Sequence, residues 1–180
     1  MASGYSLYIN DIIIPSSEHL YQAMRYPLIP QIQHEIISQD NAMKAKMVSN
    51  KYKEKYSRPD WDKIQIKIMG WVLEVKLAQN WEKFSQLIQS TDNKAIVEFT
   101  TEDKLWGACL VDGKLEGVNA LGRLLMGLRQ KYVNSNDRIY CVEPVNIPAF
   151  LLYNNPISLI CDTNILGDFE YQTEYEELVC

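Results

Sequence analysis

Only two histidines occur in this sequence of 180 residues, His19 and His34, and neither falls in an HExxH-like or mixed Cys/His pattern. That argues against a metalloenzyme, and neither a metal nor a cofactor is expected. The four cysteines, Cys109, Cys141, Cys161 and Cys180, lack the close pairing of a zinc site, and the chain is too long for a disulfide-stapled miniprotein. Reduced thiols in a cytoplasm are the expectation. Missing too are a G-x-S-x-G elbow and a P-loop, which argues against a serine hydrolase and a P-loop NTPase. No apolar run approaches the length that spans a bilayer, and Met1-Ala2-Ser3-Gly4-Tyr5-Ser6 has neither the basic start nor the apolar stretch of a signal peptide. Membrane insertion and export are therefore not expected. Positive charge is scarce: 18 Lys and Arg against 23 Asp and Glu leave a net charge of -5, too little to coat nucleic acid with the whole surface, though compatible with a local basic pocket.

What is present suits a folded domain. Hydrophobic residues make up 47% and charged residues 23% of the chain, enough apolar surface to offset the conformational entropy of ordering it. No compositional shift marks a linker, so a single domain is expected. Tyr5 to Ile14 alternates around Asn10-Asp11, which predicts a short hairpin ended by Pro15. Ser16 and Ser17 stand at the N-cap of a helix carrying Leu20, Ala23 and Met24, closed by Pro27. Further helices are predicted after Pro30 (Ile32, Ile36 and Ile37 apolar) and after Asn41 (Met43 and Met47 apolar), then a polar loop from Asn50 to Pro59. Asp60 is expected to cap the longest helix, Trp61 to about Asn80, followed by a helix over Trp81 to Ile88. Ala95 to Phe99 reads as a strand by its β-branched content. Asp112-Gly113 predicts a hairpin between 105–111 and 115–118. Leu121, Leu124, Leu125 and Leu128 follow the helical interval. Beyond Tyr132 periodicity fades, and the chain ends acidic (Asp168, Glu170, Glu174, Glu176 and Glu177), which predicts a wrapping extension with a solvated end.

Four constellations are able to carry chemistry. Glu18, in Ser16-Ser17-Glu18-His19-Leu20-Tyr21-Gln22, sits in a first helical turn where backbone N–H groups and the helix dipole favour negative charge. Such a carboxylate orients water or stabilises a developing cation; equally, acids are common in first turns for structural reasons alone. In Gly117-Val118-Asn119-Ala120-Leu121-Gly122-Arg123, Asn119 is placed to cap the leucine helix while two glycines and Arg123 admit a phosphate. A plain cap with close packing explains the same residues, and the dinucleotide fingerprint is absent. Glu98-Phe99-Thr100-Thr101-Glu102-Asp103-Lys104-Leu105-Trp106-Gly107 sets acids suited to ribose hydroxyls beside a tryptophan able to stack on a base or to fill a core. Lys44-Ala45-Lys46 and Arg58-Pro59-Asp60-Trp61 offer positive charge for a diphosphate, or an amine nucleophile, or simply solvated lysines.

Taken in order, Pro15-Ser16-Ser17-Glu18-His19-x-x-Gln22-Ala23, Ala45-Lys46, Arg58-x-Asp60-Trp61, Val97-Glu98, Asp103-x-x-Trp106-Gly107 and Gly117-x-Asn119-x-x-Gly122-Arg123-Leu124-Leu125-Met126 resemble the NADAR family, named for NAD and ADP-ribose. The resemblance spans about residues 3 to 132, giving a 1–132 NADAR-like domain with 133–180 as a C-terminal extension packed on it. It implies a mainly α fold, a compact helical domain with short β-hairpins, and a metal-free N-glycosidase. Some family members act on phosphoribosyl intermediates of riboflavin synthesis. Others remove ADP-ribose from guanine in nucleic acid and can serve as antitoxins, with an ADP-ribosyltransferase toxin as genetic partner. The phrases Leu20-Tyr21-Gln22-Ala23-Met24-Arg25-Tyr26-Pro27, Ser57-Arg58-Pro59-Asp60-Trp61-Asp62 and Val75-Lys76-Leu77-Ala78-Gln79-Asn80 resemble the latter branch.

By that resemblance Glu18 and Lys46 are the catalytic candidates, Glu18 as the carboxylate and Lys46 as the lysine near the ribose. Gln22, Arg58, Trp61, Glu98, Asp103, Trp106, Gly107, Asn119, Gly122 and Arg123 are the candidate ligand-binding residues. Two departures stand out. The upstream Ser-Asn segment usual in the family is absent before Met1-Ala2-Ser3-Gly4, as though the start had been cut, and Ala108-Cys109 follows Trp106-Gly107 where many relatives have a second glycine. The favoured expectation is an ADP-ribosyl-guanine hydrolase. Its rivals are an N-glycosidase on phosphoribosylated riboflavin-pathway intermediates and a non-catalytic module that binds an ADP-ribose-type nucleotide.

Overall fold

In the computed structural model, which describes residues 5–162, the first element is the expected hairpin, β1 (Leu7–Ile9) paired antiparallel with β2 (Ile12–Ile14). Asn10 and Asp11 both hold positive φ, 50° and 62°, the backbone that a tight two-residue hairpin turn requires and that Asn and Asp tolerate best. Leu7, Ile9 and Ile14 face inward. Helix α1 (Ser17–Ala23) follows, then α2 (Pro30–Ile37), α3 (Ala42–Tyr56) and α4 (Trp61–Gln79). Pro30 occupies the first turn of α2, where its missing N–H costs nothing, and Ile32, Ile36 and Ile37 are buried. Asn41 caps α3 by accepting the Lys44 backbone N–H at 3.0 Å.

The expected polar loop at Asn50 to Pro59 is corrected: α3 continues to Tyr56. Its inner face is small, Ala45, Val48 and Ser49, and the Tyr26 hydroxyl fixes it by donating to the Ser49 carbonyl. Lysines at 51, 53 and 55 are good helix formers on the solvent side, so nothing stops the helix before Ser57. For the same reason Met43 and Met47 point away from the core and are exposed. Asp60 flanks α4 without capping it through its side chain, because Arg58 holds both carboxylate oxygens. Along α4 the core is formed by Ile68, Met69, Trp71, Val72, Leu73, Val75, Leu77 and Ala78.

The described residues divide into two compact units, one comprising the chain up to Asn80 together with the segment from Tyr140 on, the other Trp81–Ile139. In the second unit α5 (Trp81–Gln89) buries Phe84, Ser85 and Ile88. The strand expected over Ala95 to Phe99 shrinks to a single bridge between Phe99 and Ala108. Asn119 explains this: its amide donates to the Ile96 carbonyl and accepts the Glu98 N–H, taking groups that a neighbouring strand would use. The hairpin β3 (Cys109–Val111) and β4 (Lys114–Glu116) turns at Asp112-Gly113 but is shorter than expected. Helix α6 (Ala120–Leu128) buries Leu121 and Leu128 and runs into a π-turn over Arg129–Val133. Asn119 precedes α6 in left-handed backbone, φ 52°, with no side-chain cap; that expectation is also corrected.

The segment from Tyr140 adds β5 (Cys141–Val142), β6 (Leu151–Leu152), β7 (Asn155–Pro156) and β8 (Ile160–Cys161), with β5 pairing β8 and β6 pairing β7. Cys141 and Cys161 are cross-strand partners joined by a disulfide, so the expectation of reduced thiols fails at these two positions. Cys109 is a buried free thiol. Cys180 and the acidic stretch from Asp168 to Glu177 lie outside the described residues. No helix among the described residues is long and apolar enough to cross a membrane.

Candidate functional site

Glu18 and Gln22, four residues apart, share a face of α1, and Arg25 follows two residues past its end, in the turn that leaves the helix. Glu18 lies in the first turn of α1 and is half-buried. The Gln22 amide nitrogen donates to Glu18 Oε1 at 2.8 Å, fixing the carboxylate. Ser16 does not cap α1 with its side chain; its hydroxyl meets His19 Nδ1 at 2.7 Å, while His19 Nε2 lies 3.0 Å from the Gln39 carbonyl. Because a carbonyl only accepts, Nε2 carries the proton and Nδ1 accepts from Ser16. Burial pushes the His19 pKa below its ordinary value, against the opposing pull of the Gln39 carbonyl and Glu18. A neutral imidazole thereby ties the entry of α1 to the α2–α3 connection.

Trp61, the first residue of α4, lies against this face. Its ring centroid is 5.1 Å from that of Tyr21, and the Arg25 guanidinium stands 4.6 Å over its ring. Gln22, Arg25 and Trp61 are all buried, yet Gln22 Oε1, Arg25 Nε and Trp61 Nε1 have no hydrogen-bond partner among the described residues. Buried polar atoms in folded proteins are almost always satisfied, so the Arg25 guanidinium stacked on the Trp61 indole, with both Arg25 Nε and Trp61 Nε1 unsatisfied among the described residues, makes this the candidate site. Arg25 is the sharpest case. A cation–π contact contributes roughly 1–2 kcal/mol, whereas removing a guanidinium from water costs on the order of several kcal/mol.

Arg58, by contrast, is fully engaged. It clamps Asp60 with Nε at 2.7 Å and Nη2 at 3.1 Å and donates to the carbonyls of Pro148 and Ala149. That clamp holds the Asp60 carboxyl below its ordinary pKa. Lys46 stands exposed on α3, while its neighbour Lys44 is paired with Asp40 at 2.6 Å. A cavity of about 380 Å³ lies elsewhere in the same unit, lined by Tyr8, Asn10, Asp11, Gln79, Asn155 and Ser158 among others. It contains none of the expected site residues, and Tyr8, Asn10, Asp11 and Gln79 use their polar groups on one another or on nearby backbone.

The NADAR domain pattern matches residues 2–132. The chain belongs to the NADAR family. It is 30% identical over 126 residues to a riboflavin biosynthesis protein of Vibrio vulnificus, covering 70% of this chain and 33% of that one. It is 34% identical over 79 residues to an N-glycosidase of Acanthamoeba polyphaga mimivirus, covering 39% and 46% respectively. The NMR structure of the E. coli protein YbiA superposes with a TM-score of 0.61 at 28% identity, covering 73% of this chain and 75% of that one. The chain thus spans a third to a half of the length of these two curated relatives.

The remaining expected residues of this NADAR chain lie in the second unit. Asp103 Oδ1 accepts the N–H groups of Leu105 and Trp106, folding the loop that presents a half-buried Trp106. Glu98 is half-buried, with its backbone bonded to Ala108 and Asn119. Gly107 and Gly122 are demanded by packing: a Cβ at Gly107 would meet the Glu98 carbonyl oxygen at 2.2 Å, and one at Gly122 would meet the Ile96 carbonyl oxygen at 2.1 Å. With both ends of the Asn119 amide on backbone, the Asn119–Gly122 pair serves to dock α6 on residues 96–98. Arg123 is exposed. Among the described residues, no group of His, Cys, Asp and Glu is arranged to hold a metal. Sequence reasoning passed over Arg25 while naming Arg58; the available signal was the Glu18, Gln22, Arg25 spacing.

Proposed function

We propose that this chain is an N-glycosidase that hydrolyses the bond between ADP-ribose and a guanine base in nucleic acid. The observation that carries the reading is the half-buried Glu18 carboxylate, held at Oε1 by Gln22 and next to a buried polar cluster with unfilled hydrogen-bonding capacity. Family membership and the mimivirus relative's name as an N-glycosidase support the reaction class. Breaking the C1′–N bond leaves oxocarbenium character on the ribose, which a fixed carboxylate stabilises. Water then adds at C1′ and passes its proton to Glu18, while the base departs with the bonding pair and takes up a proton. Lys46 is the second catalytic candidate, as an electrostatic anchor near the ribose, and an ADP-ribosyltransferase toxin is the expected genetic partner.

The test is ADP-ribose release from a guanine-ADP-ribosylated oligonucleotide by the purified chain beside Glu18→Gln. Release by the wild type, slowed by roughly 100-fold or more in the variant, is expected for loss of a group acting in the transition state. No release by the wild type, or release indifferent to Glu18, sinks the reading. A second reading has one specific observation behind it, the naming of the Vibrio relative as a riboflavin biosynthesis protein. An N-glycosidase on a phosphoribosylated pathway intermediate would bind ribose 5-phosphate as well as it binds ADP-ribose.

A further inference from the structure

We propose that Arg25 is the anchor of a buried anion site, and that its ligand is a phosphoryl group carried on the sugar whose glycosidic bond faces Glu18. Arg25 is 9% exposed, and its guanidinium forms no hydrogen bond or ion pair with any described residue. Among the described residues its partner is the face of Trp61, 4.6 Å away. Arginine does not shed its proton in proteins, so a buried guanidinium stays charged and its desolvation has to be offset. An aromatic face offsets only part of that. The chain shows how it satisfies a structural arginine: Arg58, equally buried, has a bidentate carboxylate and two carbonyls. Arg25 has none of these, although it lies in the same unit and next to Trp61, three residues beyond Arg58.

The position fits a sugar phosphate. Glu18, Gln22 and Arg25 form a row on the order of 10 Å long, the first two one turn apart on α1 and Arg25 in the turn just past its end, carboxylate at one end and guanidinium at the other. A ribose set with C1′ toward the carboxylate directs its 5′ oxygen along that row. The planar fork of arginine suits a phosphoryl group, donating to two of its oxygens at once, and the Trp61 ring beneath holds the fork flat. Trp61 Nε1, also without an acceptor among the described residues, adds a second donor at the same place.

The assignment of the ligand rests on the glycosidase reading, whereas the anion site itself rests on Arg25. Titration calorimetry with ribose 5-phosphate, ADP-ribose and adenosine, on wild type, Arg25→Gln and Arg25→Lys, tests it alongside ADP-ribose release. The expected result is at least a tenfold loss of ribose 5-phosphate and ADP-ribose affinity in Arg25→Gln, partial recovery in Arg25→Lys, and adenosine binding within twofold throughout. Without ligand, Arg25→Gln is expected to melt at or above the wild-type temperature, since it removes an uncompensated buried charge. Arg25→Gln that melts well below wild type, or that binds ribose 5-phosphate within twofold of wild type, overturns the proposal. Arg25-dependent phosphate binding without ADP-ribose release supports the anion site and overturns the glycosidase reading. Release accompanied by Arg25-independent binding does the reverse.

Discussion

Two glycines of α6 show how much a single methyl group decides. At Gly122 the ideal Cβ would come within 2.1 Å of the Ile96 carbonyl oxygen and 2.5 Å of the Asn119 amide, which bonds to the backbone at both ends and has little room to yield. At Gly127, five residues on, nothing lies within 4 Å. Gly122→Ala is therefore expected to destabilise the protein by about 2–3 kcal/mol through forced displacement of the 96–98 segment. Gly127→Ala should stabilise it by roughly 0.5–1 kcal/mol by lowering the entropy of the unfolded chain. Urea unfolding of both variants checks the pair; equal signs would mean that α6 does not pack on residue 96 as closely as described. Gly122 was legible in the sequence as a close approach, with a phosphate and plain packing as the two readings, and the structure brings up the chain's own backbone there.

At the scale of elements, α1 depends on a histidine that must stay neutral. Protonating His19 would put a second ring N–H against the Ser16 hydroxyl and strand a charge in a buried place. Its folded pKa lies below the unfolded 6.5, so over the interval between them the unfolded chain binds more protons. The stability this group contributes is present above about pH 6.5 and lost as pH falls below it. Unfolding free energies measured at pH 7.5 and 5.5 should show the loss, and His19→Gln should flatten the slope; an unchanged slope would place the titrating group elsewhere. Local chemistry made most elements legible. Asn10-Asp11, Pro30, Asn41 and the leucine interval of α6 each act within a few residues, and each of these elements begins where expected, though α3 runs on to Tyr56. The misreadings at Asp60, at Ala95 to Phe99 and at Asn119 share one cause. A side chain expected to serve its own helix, or a strand expected to find a partner, was claimed by a group elsewhere in the chain.

At the scale of the whole molecule, the return of the chain from Tyr140 is built into the first unit. Phe150 packs edge-on against Trp71 with ring centroids 4.8 Å apart, Gln33 bonds the backbone of Leu151 and Tyr153, and Pro148 and Ala149 supply the carbonyls that satisfy Arg58. This segment lies beyond the residues matched to the family, yet it completes the pairing that distinguishes Arg58 from Arg25. That contrast was only half legible in the sequence: Asp60 stands two residues from Arg58, but the carbonyls that complete its pairing lie about ninety positions away. Strands of two residues have little hold of their own, and the Cys141–Cys161 disulfide compensates by closing the segment at a separation of 20 residues. A crosslink over a loop of that length contributes about 3 kcal/mol, chiefly by restricting the unfolded chain. Reduction, or the Cys141→Ser, Cys161→Ser double variant, should therefore lower the urea midpoint by an amount corresponding to about 3 kcal/mol. Intact mass before and after alkylation identifies the bridged pair. A reduced protein as stable as the oxidised one would show that the packing of Phe150 and the Gln33 and Arg58 contacts hold the segment unaided.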